Sequence, residues 1–600
     1  MKKILLAAVV CCMAAGAAAQ QRMGREFEGA FKIPPLWYHP TSDSTVEVVP
    51  CQADCVPLPL HVVVPEEVTH NGQTYKVTRI GRRAFAGFVS TIVLPETIVE
   101  LGEDCGWTTA TDSVRLPNSV RVLESGSVGW KYDTFYIPAS VERIDANAFN
   151  WAQIKNFRVD EGNTHYRVVD GLLYTADTSE LLDTPHDYAG VRDSLVLPEA
   201  VLRIGAYALQ RVTQRLRTLV LPEGLREIGV GGLGNYSWEV ELPASVVRLE
   251  GNPVTKRPAV PFSLTVNAAN THYRLQDGAL LSADGDTLFL VQMPSWQNSY
   301  SVPEGVKVVA GSLFDGWETG LDTVRLPEGL KTIGPYAFNE TACQVNMPST
   351  LKSIQYGAFA FSDIEGDLVL PASLRELGPY AFHSCKKLTS VALPDSLEVI
   401  EKCAFVVCNR LARVTFGSRL REIHPEAFLG GGPLTVSALP RTLQSVGNLA
   451  LYSSLKHIEF EGTPEELGET VTMATSLRFG DGQPPLLYSG ALPEVDTVYV
   501  PCGMAEVYRG AVLEGWGERF TYVEDCDGIG DPASGEGLRM VLHGRTLQVT
   551  TAEPGAVRVL DALGRTLYSG PTPATVQLPA AGVYLVHPLG GKARKVVATR

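Results

Sequence analysis

The sequence predicts a β-rich solenoid: an array of coils of roughly 20–24 residues each with terminal caps, followed by a small C-terminal β-sandwich. Two observations carry the array. Leu-Pro recurs at Leu94-Pro95, Leu116-Pro117, Leu221-Pro222, Leu242-Pro243, Leu326-Pro327, Leu370-Pro371, Leu393-Pro394 and Leu439-Pro440. From Pro327 the steps run 21 residues to Pro348, 23 to Pro371 and 23 to Pro394, with Gly417 and Pro440 each a further 23 on. Between the prolines one apolar frame repeats. It stands as Leu370, Leu374, Leu377, Ala381, Phe382, Cys385, Leu388 and Val391, and again as Leu393, Leu397, Ile400, Ala404, Phe405, Cys408, Leu411 and Val414.

One unit of this length cannot bury its own apolar face. Stacked units bury it against each other, about 4.8 Å apart in the hydrogen-bonding direction. Such a frame at such a period is that of a leucine-rich repeat. The V-x-L-P and L-x-x-I/L-G segments are expected as strands of about two to four residues. Proline, a fault inside a central strand, costs little at its end, where it fixes φ for the corner. Gly334 and Gly378 are expected to serve the next bend. Six hundred residues exceed one compact core, which suits an array, and 45% apolar with 20% charged residues marks an ordered chain.

A longer period overlies the short one. Pro117, Pro222 and Pro327 lie 105 residues apart, as do Pro138, Pro243 and Pro348. Each block skips one Leu-Pro step and holds an insert there: Asn163-Thr164-His165-Tyr166-Arg167 with Asp170-Gly171, and Asn270-Thr271-His272-Tyr273-Arg274 with Asp277-Gly278. Asp-Gly between apolar residues reads as a hairpin turn. The weakest coils, at 102–111 and 229–240, lack Ala-Phe.

The N-terminus, MKKILLAAVVCCMAAGAAAQ, has the charged, apolar and small-residue regions of a secretory signal peptide over residues 1–19. Val10 stands before Cys11 where a lipoprotein signal wants a small residue, so lipid attachment is not expected. No later run is long enough for a transmembrane helix. The net charge of −15 at pH 7, more negative still without Lys2 and Lys3, argues against nucleic-acid partners and anionic lipid. Nine cysteines remain after cleavage. Export permits disulfides, and an odd count leaves a thiol over. No paired C-x-x-C suggests zinc, and no cofactor is expected.

The frame L-P-x-x-L-x-x-I-G-x-x-A-F-x-x-C-x-x-L resembles the BspA-type leucine-rich repeats of secreted bacterial proteins. The insert is similar to that family's N-x-x-Y-x-x-x-D-G-x-L-Y element, and Leu36 to Val49 and Asn71 to Phe85 resemble its lead-in strands. The likeness spans roughly residues 25 to 525. Val498 to Trp516 breaks the frame like the family's terminating module, with a short amphipathic helix expected over Ala505 to Leu513. Cys502 and Cys526 bracket this cap and Cys51 and Cys55 flank a tight loop near the other; both pairs are candidate disulfides. Cys385 and Cys408 hold equivalent repeat positions and read as buried small apolar residues.

Residues 527–537 form a Gly/Asp/Ser-rich linker. Beyond it, strands are expected over Arg539–Leu542, Thr546–Thr550, Ala556–Leu560, Thr575–Leu578 and Gly582–Pro588. Gly582-Val583-Tyr584-Leu585-Val586 and Lys595-Val596-Val597 are similar to elements of the type A sorting domain of the type IX secretion system, which implies passage across the outer membrane. The expected organisation is thus signal peptide 1–19, lead-in and cap 20–78, solenoid 79–497, C-terminal cap 498–526, linker 527–537 and β-sandwich 538–600.

Candidate chemistry is sparse. His165-Tyr166-Arg167 and its duplicate His272-Tyr273-Arg274 read as parts of the hairpin inserts, since a catalytic site rarely occurs twice in a duplicated block. Asp284-Gly285-Asp286 and Asp525, Asp527 and Asp531 lack a full calcium ligand set and read as turn and linker. No nucleophile elbow, H-E-x-x-H or phosphate loop is present, and no carboxylate pair suggests a glycan hydrolase; the chain is read as a non-enzyme. Trp107, Trp130 and Trp151, spaced by 23 and 21, fall on one edge of consecutive coils: either a binding stripe for sugar rings or a partner's apolar side chains, or a buried ladder. Trp317 stands alone in a comparable place. The resemblance implies a secreted or surface-displayed protein that binds host matrix proteins, other cells or polysaccharide. The alternative is a periplasmic or envelope scaffold that organises other proteins.

Overall fold

A computed structural model describes residues 30–50, 61–85, 91–105, 116–129, 131–149, 152–186, 188, 194–212, 217–234, 239–255, 263–293, 297–317, 320–432, 434–453, 455, 457–468, 470–480, 483–487, 492–511, 516–525, 538–543, 546–551, 556–561, 565–571, 574–579, 582–588 and 594–598. The chain is a β-solenoid of leucine-rich repeat type, with almost no helix among the described residues. It divides into two units, residues 1–346 and 347–600.

The first unit opens with the lead-in. Strands Phe31–Ile33, Leu36–Pro40 and Thr45–Val49 pair antiparallel. Thr45–Val49 then turns the sheet parallel by pairing with Gln73–Ile80. Glu100–Leu101, Val122–Leu123 and Arg143–Ile144 follow as parallel rungs of two residues. In each rung the second residue is buried (Leu101, Leu123 and Ile144), so the rungs form one wall of the core.

The prolines act as expected. Strand Thr323–Arg325 ends just before Leu326-Pro327, and the Pro327 carbonyl accepts the Leu330 N–H at 3.2 Å. The same turn recurs from Pro117 to Val120, Pro222 to Leu225, Pro371 to Leu374 and Pro440 to Leu443. A ladder not foreseen supports it: the hydroxyls of Ser119, Ser140, Ser245, Ser373 and Thr442 donate to the carbonyls of Ile98, Val120, Leu225, Leu351 and Leu420, one coil back.

The reading of Gly334 and Gly378 is corrected. Neither has the positive φ of a bend. A Cβ on Gly378 would lie 2.8 Å from the Gln355 carbonyl carbon, and one on Gly334 2.6 Å from the Gly311 nitrogen. The glycines therefore allow coils to approach. The left-handed residue is the one before Ala-Phe: Tyr336 (φ 54°), Tyr380 (59°), Cys403 (57°) and Glu426 (61°). This twist aims alternate N–H groups at the next coil. Tyr380, Phe382 and Ser384 donate to Lys402, Ala404 and Val406, while Ala381, His383 and Cys385 close turns onto Gly378, Tyr380 and Phe382. Every backbone donor from 380 to 385 is thereby satisfied, as a buried turn requires.

In the second unit, parallel ladders run through Gly366–Val369, Leu388–Ala392, Arg413–Thr415 and Thr435–Val436, and through Val399–Ile400, Glu422–Ile423, Ser445–Val446, Glu466–Leu467 and Leu486–Leu487. Phe359, Phe382, Phe405 and Phe428 stack between them, their rings within 4° of parallel. The terminal helix is shorter than expected: Ala505–Gly510, with no side-chain cap at Met504. Its buried Tyr508 packs on Phe479 and Trp516. The ladder then resumes, as Thr521–Asp525 pairs parallel with Thr497–Pro501.

The C-terminal segment has two antiparallel sheets. Leu538–His543, Thr546–Thr551 and Ala574–Gln577 form one; Thr566–Pro571, Ala556–Asp561, Gly582–Pro588 and Arg594–Ala598 form the other. Leu547, Val549, Val557, Val559, Val576 and Val586 join in one buried cluster. The sequence reading missed the strands at 566–571 and 594–598.

Candidate functional site

The residues singled out for binding or pairing fall largely outside the described ones: Trp107, Trp130, Trp151, Cys51, Cys55 and Cys526. Cys502 is disulfide-bonded. Trp317 is buried, its ring edge-on to Phe314 at 5.3 Å. Cys385 and Cys408 are free and buried. Each thiol donates to a carbonyl, of Phe359 and Phe382, at 3.1 Å, which makes them core residues.

The duplicated inserts have a specific structural job. The coil ending in Arg143–Ile144 lacks a following rung, which leaves Glu142 C=O and Ile144 N–H facing the gap. The Tyr166 hydroxyl fills it, accepting the Ile144 N–H at 2.8 Å and donating to Glu142 C=O at 3.3 Å. Asn163 Nδ2 donates to the Pro138 and Val141 carbonyls, the second of which a ladder serine would otherwise serve. The second insert repeats this with Tyr273 on Leu249 and Val247 and Asn270 on Pro243 and Val246. The hairpin strands Tyr166–Val169 and Leu172–Thr175 then start a new sheet. His165 and His272 stay exposed. The inserts are thus internal caps.

Asp284 is a turn residue. Its Oδ1 accepts the Ser282 hydroxyl at 2.6 Å and the Asp286 N–H at 3.0 Å, and these bonds hold its carboxyl below the ordinary pKa. Among the described residues no cluster of His, Cys, Asp and Glu is arranged to hold a metal ion, and no helix is long and apolar enough to cross a membrane.

Two surface features stand out. One is a run of aromatic rings at the Ala-Phe corner of the second unit. Tyr356 and Phe361 are each 39% exposed. Tyr356 lies 5.3 Å from Tyr380, Tyr380 lies 5.8 Å from His383, and His383 lies 4.6 Å from Phe361, all tilted rings. Phe361 (φ 56°) and Tyr380 (φ 59°) hold left-handed positions that recur from coil to coil, as at Ser384 and Cys403. The sequence signal stands in QYGAFAF and GPYAFH, where outward rings flank the inward Ala-Phe pair. The other feature is a shallow groove of about 580 Å³ over the Leu-Pro corner, lined by Ser301, Thr323, Arg325 and Gln344.

Short parallel rungs, a proline turn per coil and a buried Ala-Phe corner define a leucine-rich repeat solenoid. Residues 68–167, 296–388 and 363–478 match the BspA type leucine rich repeat region, in six copies. A leucine-rich repeat protein from Bacteroides ovatus is similar in structure at 19% identity, over 83% of this chain and 100% of that one, with a TM-score of 0.32. A leucine rich cell surface protein from Faecalibacterium prausnitzii is 19% identical over 68% of this chain and 93% of that one, TM-score 0.30. The pneumococcal vaccine antigen PcpA is 18% identical over 83% and 98%, TM-score 0.30. The sequence matches no curated protein.

Proposed function

We propose that the protein is an exported, surface-displayed binding protein that engages a host matrix protein, another cell or a polysaccharide through the face of its repeat array. The observation that carries this is the chain of rings Tyr356, Tyr380, His383 and Phe361, exposed at its two ends, Tyr356 and Phe361. Exposed aromatics on a rigid support supply large contact area at low entropic cost. The signal-like N-terminus and the sorting-like residues Gly582 to Val586 and Lys595 to Val597 support export and outer-membrane passage. Trp107, Trp130 and Trp151 are a second contact stripe on this reading, and disulfides Cys51–Cys55 and Cys502–Cys526 secure the two ends.

Two measurements test it. Protease shaving of intact producing cells, read by mass spectrometry, should release array peptides with nothing recovered beyond about Gly537. Full protection of a chain ending at Arg600 would replace surface display with the periplasmic scaffold. Against matrix proteins and glycans, the Tyr356→Ala/Phe361→Ala variant should lose at least about tenfold in affinity with unchanged melting. Undiminished binding would move the contact elsewhere.

A further inference from the structure

We propose that the seam where the first hairpin insert interrupts the coils is a binding site for a single neutral sugar ring. The chain builds this seam twice, and the copies differ. In the second, the coils across the seam meet directly: Asn252 N–H donates to Gly311 C=O at 2.8 Å, and Asn252 Nδ2 donates to the carbonyls of Ser312 and Leu313 at 3.1 and 3.3 Å. Glycines permit this approach, since a Cβ on Gly251 would lie 3.0 Å from the Gly311 oxygen. The first copy has Ala146 and Ala206 at those positions. There Asn147 stands where Asn252 does, and its Oδ1 is buried without a hydrogen-bond partner. Beside it lies a cavity of about 250 Å³, bounded by Asn147, Glu180, Asp183 and Arg203, with Ile144 and Phe149 as apolar lining.

The polar residues bridge the seam where the second copy has direct contact: Arg211 Nη2 donates to the Phe149 C=O. Asp183, 6% exposed, takes Arg211 Nη1 at 2.6 Å on both carboxylate oxygens. The second copy has Leu290 and Gly316 in their places and forms the same hairpin and parallel rung. In the first copy a side-chain bridge thus stands where the second has backbone contact, and the cavity lies beside it.

The charges set the ligand class. Asp145 is paired with Arg143 at 3.0 Å, Glu180 with Arg203 and Asp183 with Arg211. Each charge is matched within the protein, so a charged ligand would arrive without a counter-ion. The unmet group is an acceptor, Asn147 Oδ1, which asks for a donor. Hydroxyl groups donate to it and to the carboxylates and accept from the guanidinium. The volume, about eight times that of a liquid water, holds one ring and not a chain. This site is separate from the aromatic corner and does not depend on it.

The test uses the full chain, with saturation-transfer NMR and calorimetry against glucose, galactose, mannose, fucose and N-acetylglucosamine, and with glucosamine and glucuronate as charged counterparts. At least one neutral sugar should bind, and the charged forms should bind about tenfold more weakly. The Asp183→Leu/Arg211→Gly variant, which installs the second copy's residues and removes the bridge to Phe149, should lose at least about tenfold in affinity. Asn147→Leu, which removes the unmet acceptor and leaves that bridge in place, should lose as much with its melting transition unchanged. Tyr356→Ala should leave this binding intact, which separates it from the surface reading. Absence of binding by every neutral sugar, equal binding of the charged ones, or binding that survives both seam variants overturns the proposal.

Discussion

The rings of Phe382 and Phe405 lie with centroids 5.3 Å apart and planes 4° from parallel. The offset equals one coil step, so each ring rests on its neighbour with nothing between. Phe359 and Phe428 extend the stack to either side, at 5.2 Å. Parallel offset rings are a favoured aromatic geometry and add to the area they bury. Phe382 and Phe405 each have a ring on both sides. Phe405→Ala should cost about 3–5 kcal/mol, and Phe405→Leu clearly less. Hydrogen exchange of the amides of Phe382, Phe405 and Phe428 reads this directly, because their N–H groups bond across coils to Ala404, Ala427 and Ala450. Protection unchanged in Phe405→Ala would mean that backbone bonds alone hold the corner.

The paired caps give a second prediction. Tyr166→Phe removes one hydroxyl and orphans two backbone groups, Ile144 N–H and Glu142 C=O. Tyr273→Phe does the same to Leu249 and Val247. Each change should cost about 1–3 kcal/mol. The two sites share no partner, so the double variant should show the sum. Chemical denaturation of the three variants checks this, and a silent Tyr166→Phe would show that water serves those groups as well.

How much of this was legible follows from the physics of each residue. The period, the inward frame and the proline corner could be read because burial repeats with the coil. Leu374, Leu397 and Leu420 each sit a fixed step after Pro371, Pro394 and Gly417, and all are buried. Gly378 was misread because sequence shows that glycine is wanted but not whether φ or close approach wants it. The hydroxyl of Tyr166 was invisible because its partners lie 22 and 24 residues back. The seam escaped for a subtler reason: Ala146 and Gly251 look interchangeable until a neighbouring coil is put against them. The aromatic corner was hidden by αL geometry, which turns Phe361 outward from a frame that otherwise reads as core.

A third prediction concerns pH. His457 is partly buried, with Nδ1 2.8 Å from the Ser476 hydroxyl and Nε2 buried without a partner. Burial, and then the charge of Arg478, hold its pKa below the ordinary imidazole value. The unfolded chain therefore binds this proton more readily than the folded one. Its contribution is fully present above about pH 6.5 and is lost as pH falls from there through the lower folded value. In urea titrations at pH 7.5 and 5.5, the wild type should lose more stability than His457→Gln across that interval. Equal losses would put the acid sensitivity in the carboxylates.

The last prediction tests stored backbone strain. Val407 is β-branched yet held at φ 58°, where most residues with a Cβ cost about 1–2 kcal/mol and a branched one is a clear outlier. The coil needs that conformation because it aims the Val407 N–H at Leu429 C=O, 2.7 Å away. The next coil solves the same problem with Gly430, at φ 71°. Val407→Gly should therefore stabilise the fold by about 0.5–1 kcal/mol, the relief of strain less the entropy glycine loses on folding. The adjacent Val406 is the control: it is 7% exposed and not left-handed. Val406→Gly should cost about 2–4 kcal/mol through its cavity and the same entropy term. Opposite signs at neighbouring valines, measured by denaturant midpoints, would place the strain at the left-handed position. A loss at Val407 matching that at Val406 would show that side-chain packing there outweighs it.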